Sequence, residues 1–333
     1  MKKFSFKMVA GGVLAAAVCA ALPASAQTAA QTAAPAADSS EAKFGVSSGP
    51  GVSGRLFATG GVSTIEGSGG GGLGTWALIT GYGTDKQIGA NAHYTIAKTK
   101  DYGLQTGGVA IGLFDRFELS YANQQFDTKN VLIAISPTLR GYKIKQDVFG
   151  AKIRVLGNAV YDQDTWVPQV SVGLQYKDNK DNTVIPFLNG ALKALNPDIR
   201  NSGTDFYVAA SKLYLDQSIL VNGTVRFTKA NQYGLLGFGG PDGHRYRPEF
   251  EGSVAYLLRR DFVVGAEVRT KRGNLTNPAL NLREQAAFDV FAAYFPTKNV
   301  SITAAYVDLG QIVGALSANK RQSGGYLSLQ VGF

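Results

Sequence analysis

Cysteine is almost absent from this sequence, which has one residue of this type, Cys19, in 333. Cys19 lies in an N-terminal apolar stretch that we expect to be removed, so the mature chain is predicted to have no thiol, no disulfide and no cysteine metal site. Long apolar runs are also missing. No later stretch reaches the roughly 20 apolar residues that a membrane-spanning helix needs, which argues against a helical membrane protein.

Charge is low as well, since Asp, Glu, Lys and Arg together form 17% of the chain. The formal net charge is +9, and removal of Lys2, Lys3 and Lys7 would lower it to +6. A nucleic-acid-binding protein of this length would show a clustered basic face, and none is evident. What the chain has instead is 41 Gly, 18 Phe and 15 Tyr, a composition that favours a β protein over a helical one.

The N-terminus has the pattern of a secretory signal peptide at residues 1–26. Its three lysines precede an apolar stretch, and the small residues Ala24 and Ala26 flank Ser25 at the expected cleavage site. Residues 27–45 form a low-complexity Ala/Thr/Gln leader, which we expect to be disordered. The glycine-rich segment that follows, within residues 46–74, is expected to contribute a first strand or a plug. It lacks the Lys-Ser/Thr of a phosphate loop.

From about Thr75 onward, apolar and polar residues alternate with a period of two. In residues 87–97, for example, Ile88, Tyr94 and Ile96 share one face, while Asn91 and His93 share the other. Candidate strands of about nine to twelve residues match tilted transmembrane strands, and soluble strands are usually shorter. Charges on one face and aromatics at the ends of the other favour a membrane barrel over a soluble sandwich. We predict an all-β protein, an antiparallel transmembrane β-barrel of 12–14 strands within residues 46–333.

The strand count depends on the N-terminal segment. Thirteen candidate strands lie between Trp76 and Phe333, and an even number is required if both ends of the barrel lie on one side. Residues 55–66 are the best candidate for a fourteenth strand. If one weak candidate is false instead, the barrel has 12 strands.

The last strand, "GGYLSLQVGF", alternates apolar residues up to its final atom. This pattern resembles the C-terminal strand of Gram-negative outer-membrane barrels, which the barrel-assembly machinery reads. The matching residues are Leu327, Leu329, Val331 and Phe333. The segments "GRLFATGGVSTIEG", "WALITGYGT", "GLFDRFELSYA" and "VYDQDTWVPQVSVGLQYK" also resemble the bacterial family called domain of unknown function 3034. The resemblance implies an outer-membrane location, export with a cleaved signal peptide, and periplasmic chaperones and the assembly machinery as partners during biogenesis, but no reaction.

Successive residues of a strand face opposite sides of the sheet. The odd or even position of a residue, which we call its parity, therefore predicts whether its side chain lines the lumen. Five bases and six acids point inward, so the lumen is close to neutral, and one histidine joins them. These residues are Lys152, Arg154, Lys177, Arg226, Arg269, Glu118, Asp205, Glu249, Glu251, Glu267, Asp289 and His93. Such mixed charges can line a weakly selective pore or pair into a network that closes it.

Catalytic patterns are weak. The sequence has no Gly-x-Ser-x-Gly elbow and no His-Glu-x-x-His helix. His93 could act as a general base only beside a nucleophile from another strand, and His244 lies near Asp242 in a predicted loop. We therefore expect no catalytic residue, cofactor or metal, with a surface hydrolase as the remote alternative. The leading hypothesis is a passive small-solute pore in contact with outer-membrane lipid; the second is a closed barrel with a structural or envelope-assembly role.

Overall fold

The computed structural model describes residues 55–275 and 282–333. The predicted signal peptide, the leader and residues 46–54 lie outside the described residues. Within them, the chain forms twelve strands and one α-helix, α1 (Val184–Ala191). No described helix has the length and apolar character needed to cross a membrane.

The strands form one closed antiparallel barrel in which each strand pairs with its sequence neighbours. This confirms the predicted fold and sets the strand number at twelve. The strands are β1 (Ile88–Thr99), β2 (Gly103–Leu113), β3 (Phe117–Asp127), β4 (Lys143–Leu156), β5 (Gln169–Asn179), β6 (Ser202–Tyr214), β7 (Ile219–Thr228), β8 (Arg247–Arg259), β9 (Phe262–Arg269), β10 (Ala287–Thr297), β11 (Val300–Asp308) and β12 (Ser323–Gly332).

The barrel closes where β1 pairs with β12. The register at this seam runs from Asn91 opposite Gly332 to Thr99 opposite Gly324. A sheet that closes on itself has no free edge, so the backbone groups of every strand find partners inside the sheet. Closure at β1 therefore leaves no position for a further strand.

The prediction that residues 55–66 form a strand is wrong for this reason. They precede β1 and lie inside the barrel, as do the glycines that follow them. Trp76 also belongs to this internal segment, although it was placed at the start of the candidate strands. The alternation of apolar residues in this stretch reflects packing against the inner wall.

Side chains alternate between the two faces of the sheet, as the period of two predicts. In β12, Leu327 and Leu329 are exposed on the outer face, while Ser328 and Gln330 are buried on the inner one. Exposed apolar residues on other strands include Ile111, Leu119, Phe149, Phe206, Val254 and Val290. The barrel thus has an apolar outer surface.

The connections differ between the two ends of the barrel. At the end that holds Phe333, which we call the turn end, most links are short, as at residues 114–116 and 298–299, although residues 157–168 form a longer loop. At the opposite end, the loop end, the longer connections are residues 128–142, 180–201, 229–246, 270–286 and 309–322, of which residues 276–281 are not described. Helix α1 lies in one of these loops. Short 3-10 helices occur at Val131–Ala134, Pro137–Leu139, Lys193–Leu195, Gln232–Gly234 and Gly314–Leu316.

Candidate functional site

Residues 55–83, which we call the plug, lie in the barrel lumen, and residues 84–87 form an exposed turn that leads to β1. The plug is tied to the turn end by Arg55, whose Nη2 lies 3.0 Å from Asp115 Oδ1. Near the start of β1, Tyr82 N donates to the carbonyl oxygen of Phe333 at 3.2 Å. Between these two points the chain enters the lumen and returns. The plug therefore fills the space that an open pore would use.

Glu66 of the plug is the centre of a buried charge cluster near the loop end. Its Oε1 lies 2.5 Å from Lys177 Nζ, and its Oε2 lies 2.9 Å from Arg269 Nη1 and 3.9 Å from Arg226 Nη2. Lys177 also lies 2.8 Å from Asp205 Oδ2. Three bases of the wall thus surround one carboxylate of the plug, and their charges compensate its burial.

A second polar contact joins the plug to β3 and β4. Glu118 Oε1 accepts a hydrogen bond from Gly69 N at 2.9 Å, and Glu118 Oε2 accepts one from Thr80 N at 2.8 Å. Lys152 Nζ lies 3.0 Å from Glu118 Oε2 and donates to Leu78 O at 2.7 Å. This wall pair therefore binds both the donors and the acceptors of the plug backbone.

Carboxylates of β8 and β9 bind the backbone of the glycine-rich turn. Glu267 Oε2 accepts from Leu73 N at 2.7 Å and from Gly74 N at 3.3 Å. Glu251 Oε2 accepts from Thr75 N at 2.7 Å. Unpaired backbone N–H groups are costly when buried, and these carboxylates satisfy them.

Glycine is required where the plug backbone approaches the wall most closely. A Cβ at Gly71 would lie 1.9 Å from Glu267 Oε1, and a Cβ at Gly72 would lie 2.4 Å from Tyr326 Oη. Any larger residue at either position would push against groups of the wall. The glycine-rich segment is therefore a close-packing element of the plug and not a flexible turn.

Most of the sequence-predicted lumen residues lie against the plug or beside it. Buried inward-facing members are His93, Glu118, Lys152, Lys177, Asp205, Arg226, Glu249, Glu251, Glu267, Arg269 and Asp289. Arg154 is partly exposed and pairs with Asp115 at 2.7 Å near the turn end. Asp289 differs from the others because neither of its carboxylate oxygens has a hydrogen-bond partner in the described part of the chain.

The two histidines have ordinary polar surroundings. His93 Nδ1 lies 3.0 Å from Ser63 Oγ of the plug, and the same hydroxyl lies 3.0 Å from Asn91 Oδ1. Asn91 therefore bonds to the serine and does not orient the histidine, as the third member of a catalytic triad would. His244 Nε2 lies 3.3 Å from Asp198 of another loop. Among residues 55–275 and 282–333, no cluster of His, Cys, Asp and Glu is arranged to hold a metal ion.

The family whose model matches the chain is described as a protein of unknown function (DUF3034), and the match covers residues 59–330. The chain belongs to the DUF3034 family. The matched region begins inside the plug and ends in β12. The plug is therefore part of the unit that the DUF3034 model describes, together with the whole barrel.

Solved structures with a similar fold include outer-membrane barrels. The KdgM porin is 12% identical with a TM-score of 0.46, and the match covers 73% of this chain and 99% of the porin. The NanC porin is 11% identical, with a TM-score of 0.47 and coverages of 73% and 98%. Outer membrane phospholipase A from Escherichia coli is 12% identical, with a TM-score of 0.41 and coverages of 72% and 92%. No curated protein sequence matches the chain. Such low similarities carry no information about substrate or activity.

At the loop end of this DUF3034 member, buried polar contacts join three of the long loops. Lys271 Nζ donates to Gln232 Oε1 at 2.8 Å and to Leu309 O at 2.7 Å, and Glu284 Oε1 accepts from Gln232 N at 3.0 Å. Burial lowers the pKa of Lys271 to about 8, although the charge of Glu284 opposes this shift. Burial likewise raises the pKa of Glu284 to about 7, and here the charge of Lys271 opposes it. These loops form a cap over the barrel.

Parity could identify the wall residues but not their partners in the plug. Arg55, Glu66 and Ser63 supply those contacts, and each was counted as part of a candidate strand. The run of glycines directly after Glu66 was the one available signal, because glycine often marks close approach of two backbones.

Proposed function

We propose that this protein is an outer-membrane channel that its own plug keeps closed until the plug is displaced. The location is supported by the closed sheet and its apolar outer face, which match the requirements of a lipid bilayer. A passive small-solute pore was the first expectation from sequence, and the position of residues 55–83 in the lumen adds a plug to it.

The observation that carries the proposal is the set of buried ion pairs between Glu66 of the plug and the wall, which lies beside the apolar packing of Leu56 and Trp76. Ion pairs buried inside a protein often stabilise it no more than apolar residues of similar volume would. A barrel that is always filled would therefore gain little from Glu66, Lys177 and Arg269. A channel has a reason to keep such residues, because water can hydrate them when the plug leaves.

Gly71→Leu tests whether the plug seals a conducting lumen. Leucine at this position would collide with Glu267 and break the hydrogen bonds that Glu267 accepts from the plug backbone. The plug would then bind the wall more weakly. We expect the variant to show larger conductance in planar bilayers, and faster solute flux in liposomes, than the wild-type protein. Gly223→Leu is the matched control, because a Cβ at Gly223 meets no atom within 4 Å.

The proposal is wrong if Gly71→Leu folds into a barrel, as shown by heat-dependent migration on gels, and conducts no better than Gly223→Leu. In that case the second hypothesis, a permanently closed barrel with a structural or envelope-assembly role, explains the buried ion pairs better. Deletion of residues 27–45 then gives the decisive comparison. An interaction role through the leader should be lost in the deletion variant, while a channel should keep its conductance.

A further inference from the structure

The loop end of the lumen is apolar over one part of the barrel wall. Along β1 to β4 and β10 to β12, most inward-facing side chains here are apolar or aromatic, although Thr99 and Gln124 are polar. The apolar and aromatic ones include Ala97, Leu104, Phe126, Ile144, Val307 and Tyr326, all buried. The polar wall that binds the plug is therefore replaced in this region by a surface that water hydrates poorly.

Two neighbouring cavities lie against this surface. The smaller has a volume of about 50 Å³ and is lined by Ile65 and Leu73 of the plug, together with wall and cap residues. The larger, of about 100 Å³, lies among the loops and is lined by residues such as Val131, Leu188 and Leu316. Phe126, Leu236 and Ile312 line both cavities. These shared side chains form the partition between the two spaces.

The chemistry of the lining restricts what can bind. No charged side chain lines either cavity in the described part of the chain. Empty apolar cavities weaken packing because the surrounding atoms lose contacts. Together the two spaces approach the roughly 150 Å³ of an engineered apolar cavity that stays dry and binds benzene. An ion would lose its hydration here and would find no opposite charge in compensation.

We propose that the two cavities become one binding site for a small, uncharged and apolar molecule of about the size of benzene when the side chains of Phe126, Leu236 and Ile312, which separate them, move apart. Ile65 and Leu73 place the plug at the floor of this site, so a bound molecule would touch the element that closes the lumen. The further statement that this molecule is a substrate of the channel, bound before the plug moves, rests on the proposed function.

Binding can be measured by ¹⁹F NMR with fluorobenzene and the folded full-length protein, and with 4-fluorobenzoate as the charged probe. We expect saturable binding of fluorobenzene alone. Val131→Phe should fill the larger cavity and weaken the affinity at least tenfold. Val221→Phe, on the outer face, should leave it unchanged. Phe126→Ala should join the two cavities and strengthen binding of the larger probe 1-fluoronaphthalene.

Two results would overturn the binding site: equal fluorobenzene affinity in Val131→Phe and Val221→Phe, or unchanged binding of 1-fluoronaphthalene by folded Phe126→Ala. Planar-bilayer recordings test the link to the channel separately. Fluorobenzene should change the current of the wild-type protein and not that of Val131→Phe. If fluorobenzene binds but does not change a measured current, the binding site is supported and its role as a substrate site is wrong. If no variant carries a current, the proposed channel function is wrong, and the binding site is not affected by this result.

Discussion

Two inward-facing aspartates show how the surroundings of one residue decide its effect on stability. Asp205 on β6 lies 2.8 Å from Lys177 Nζ and accepts a hydrogen bond from Thr228. Asp289 on β10 is equally buried, but it lies directly opposite Glu267 on β9 and has no hydrogen-bond partner in the described residues. Like charges at directly opposite positions of a sheet repel each other.

We therefore expect opposite effects from the same substitution at these two positions. Asp289→Asn removes a buried, unsatisfied carboxylate and supplies an amide that can donate to Glu267, so it should stabilise the barrel by about 1–3 kcal/mol. Asp205→Asn leaves Lys177 with less compensation and should cost about 3–5 kcal/mol. The temperature at which the folded form disappears on gels measures both effects. A lower unfolding temperature for Asp289→Asn would contradict this explanation.

The difference between these aspartates could not be predicted from the sequence. Alternation places both on the inner face, because the side-chain period of a strand is two. The partners of Asp205 come from β5 and β7, and the contacts of Lys177 extend to Glu66 in the plug, far away in the chain. The parity of a residue predicts whether its side chain faces the lumen. The partner of that side chain depends on how the strands close into a barrel and on which segment of the chain lies inside it.

At the scale of a single element, β12 is both the closing strand and the predicted assembly signal. Phe333 N donates to Ala90 O at 2.9 Å, and Phe333 O accepts from Ala90 N at 2.7 Å and from Tyr82 N at 3.2 Å. The side chain of Phe333 is 47% exposed on the outer face. The backbone of this residue thus closes the seam, while its side chain remains accessible to lipid or to an assembly factor.

Phe333→Ser separates these two roles because it keeps the backbone bonds and removes the aromatic side chain. In Gram-negative cells, we expect the yield of folded barrel to fall severalfold, since recognition of the terminal residue is lost. Refolding of the purified variant from urea into detergent should remain close to wild type. Lys320→Ala, in the exposed loop before β12, is the control. Equal cellular yields of Phe333→Ser and Lys320→Ala would refute an assembly role.

Elements differed in how well the sequence predicted them. The strands from β1 to β12 follow the period of two, and their outward faces carry the expected apolar residues. For the N-terminal segment the sequence leaves both a strand and a plug open, because its short apolar stretches, such as those of Leu56 and Trp76, also alternate with small or polar residues. Its true position follows from closure of the seam, a long-range contact that no local pattern reveals.

For the whole molecule, we expect the plug to close a lumen that can otherwise conduct. The expected mature chain lacks cysteine, so a disulfide can be introduced without competing thiols. A Cβ at Gly74 would lie 2.7 Å from Ser253 Oγ, so side chains at these two positions would be in direct contact, and we choose them for a pair of cysteines. Oxidation of this pair would tie the plug to β8, and each single cysteine variant is a control.

The most direct measurement is the planar-bilayer conductance of the variant Gly74→Cys/Ser253→Cys before and after reduction. The oxidised protein should be silent, and a reducing agent should restore a current like that of the wild-type protein and the single variants. A current of wild-type size from the fully oxidised protein would show that the plug does not need to move. Silence of both the wild-type protein and the folded Gly71→Leu variant would show that the lumen does not conduct.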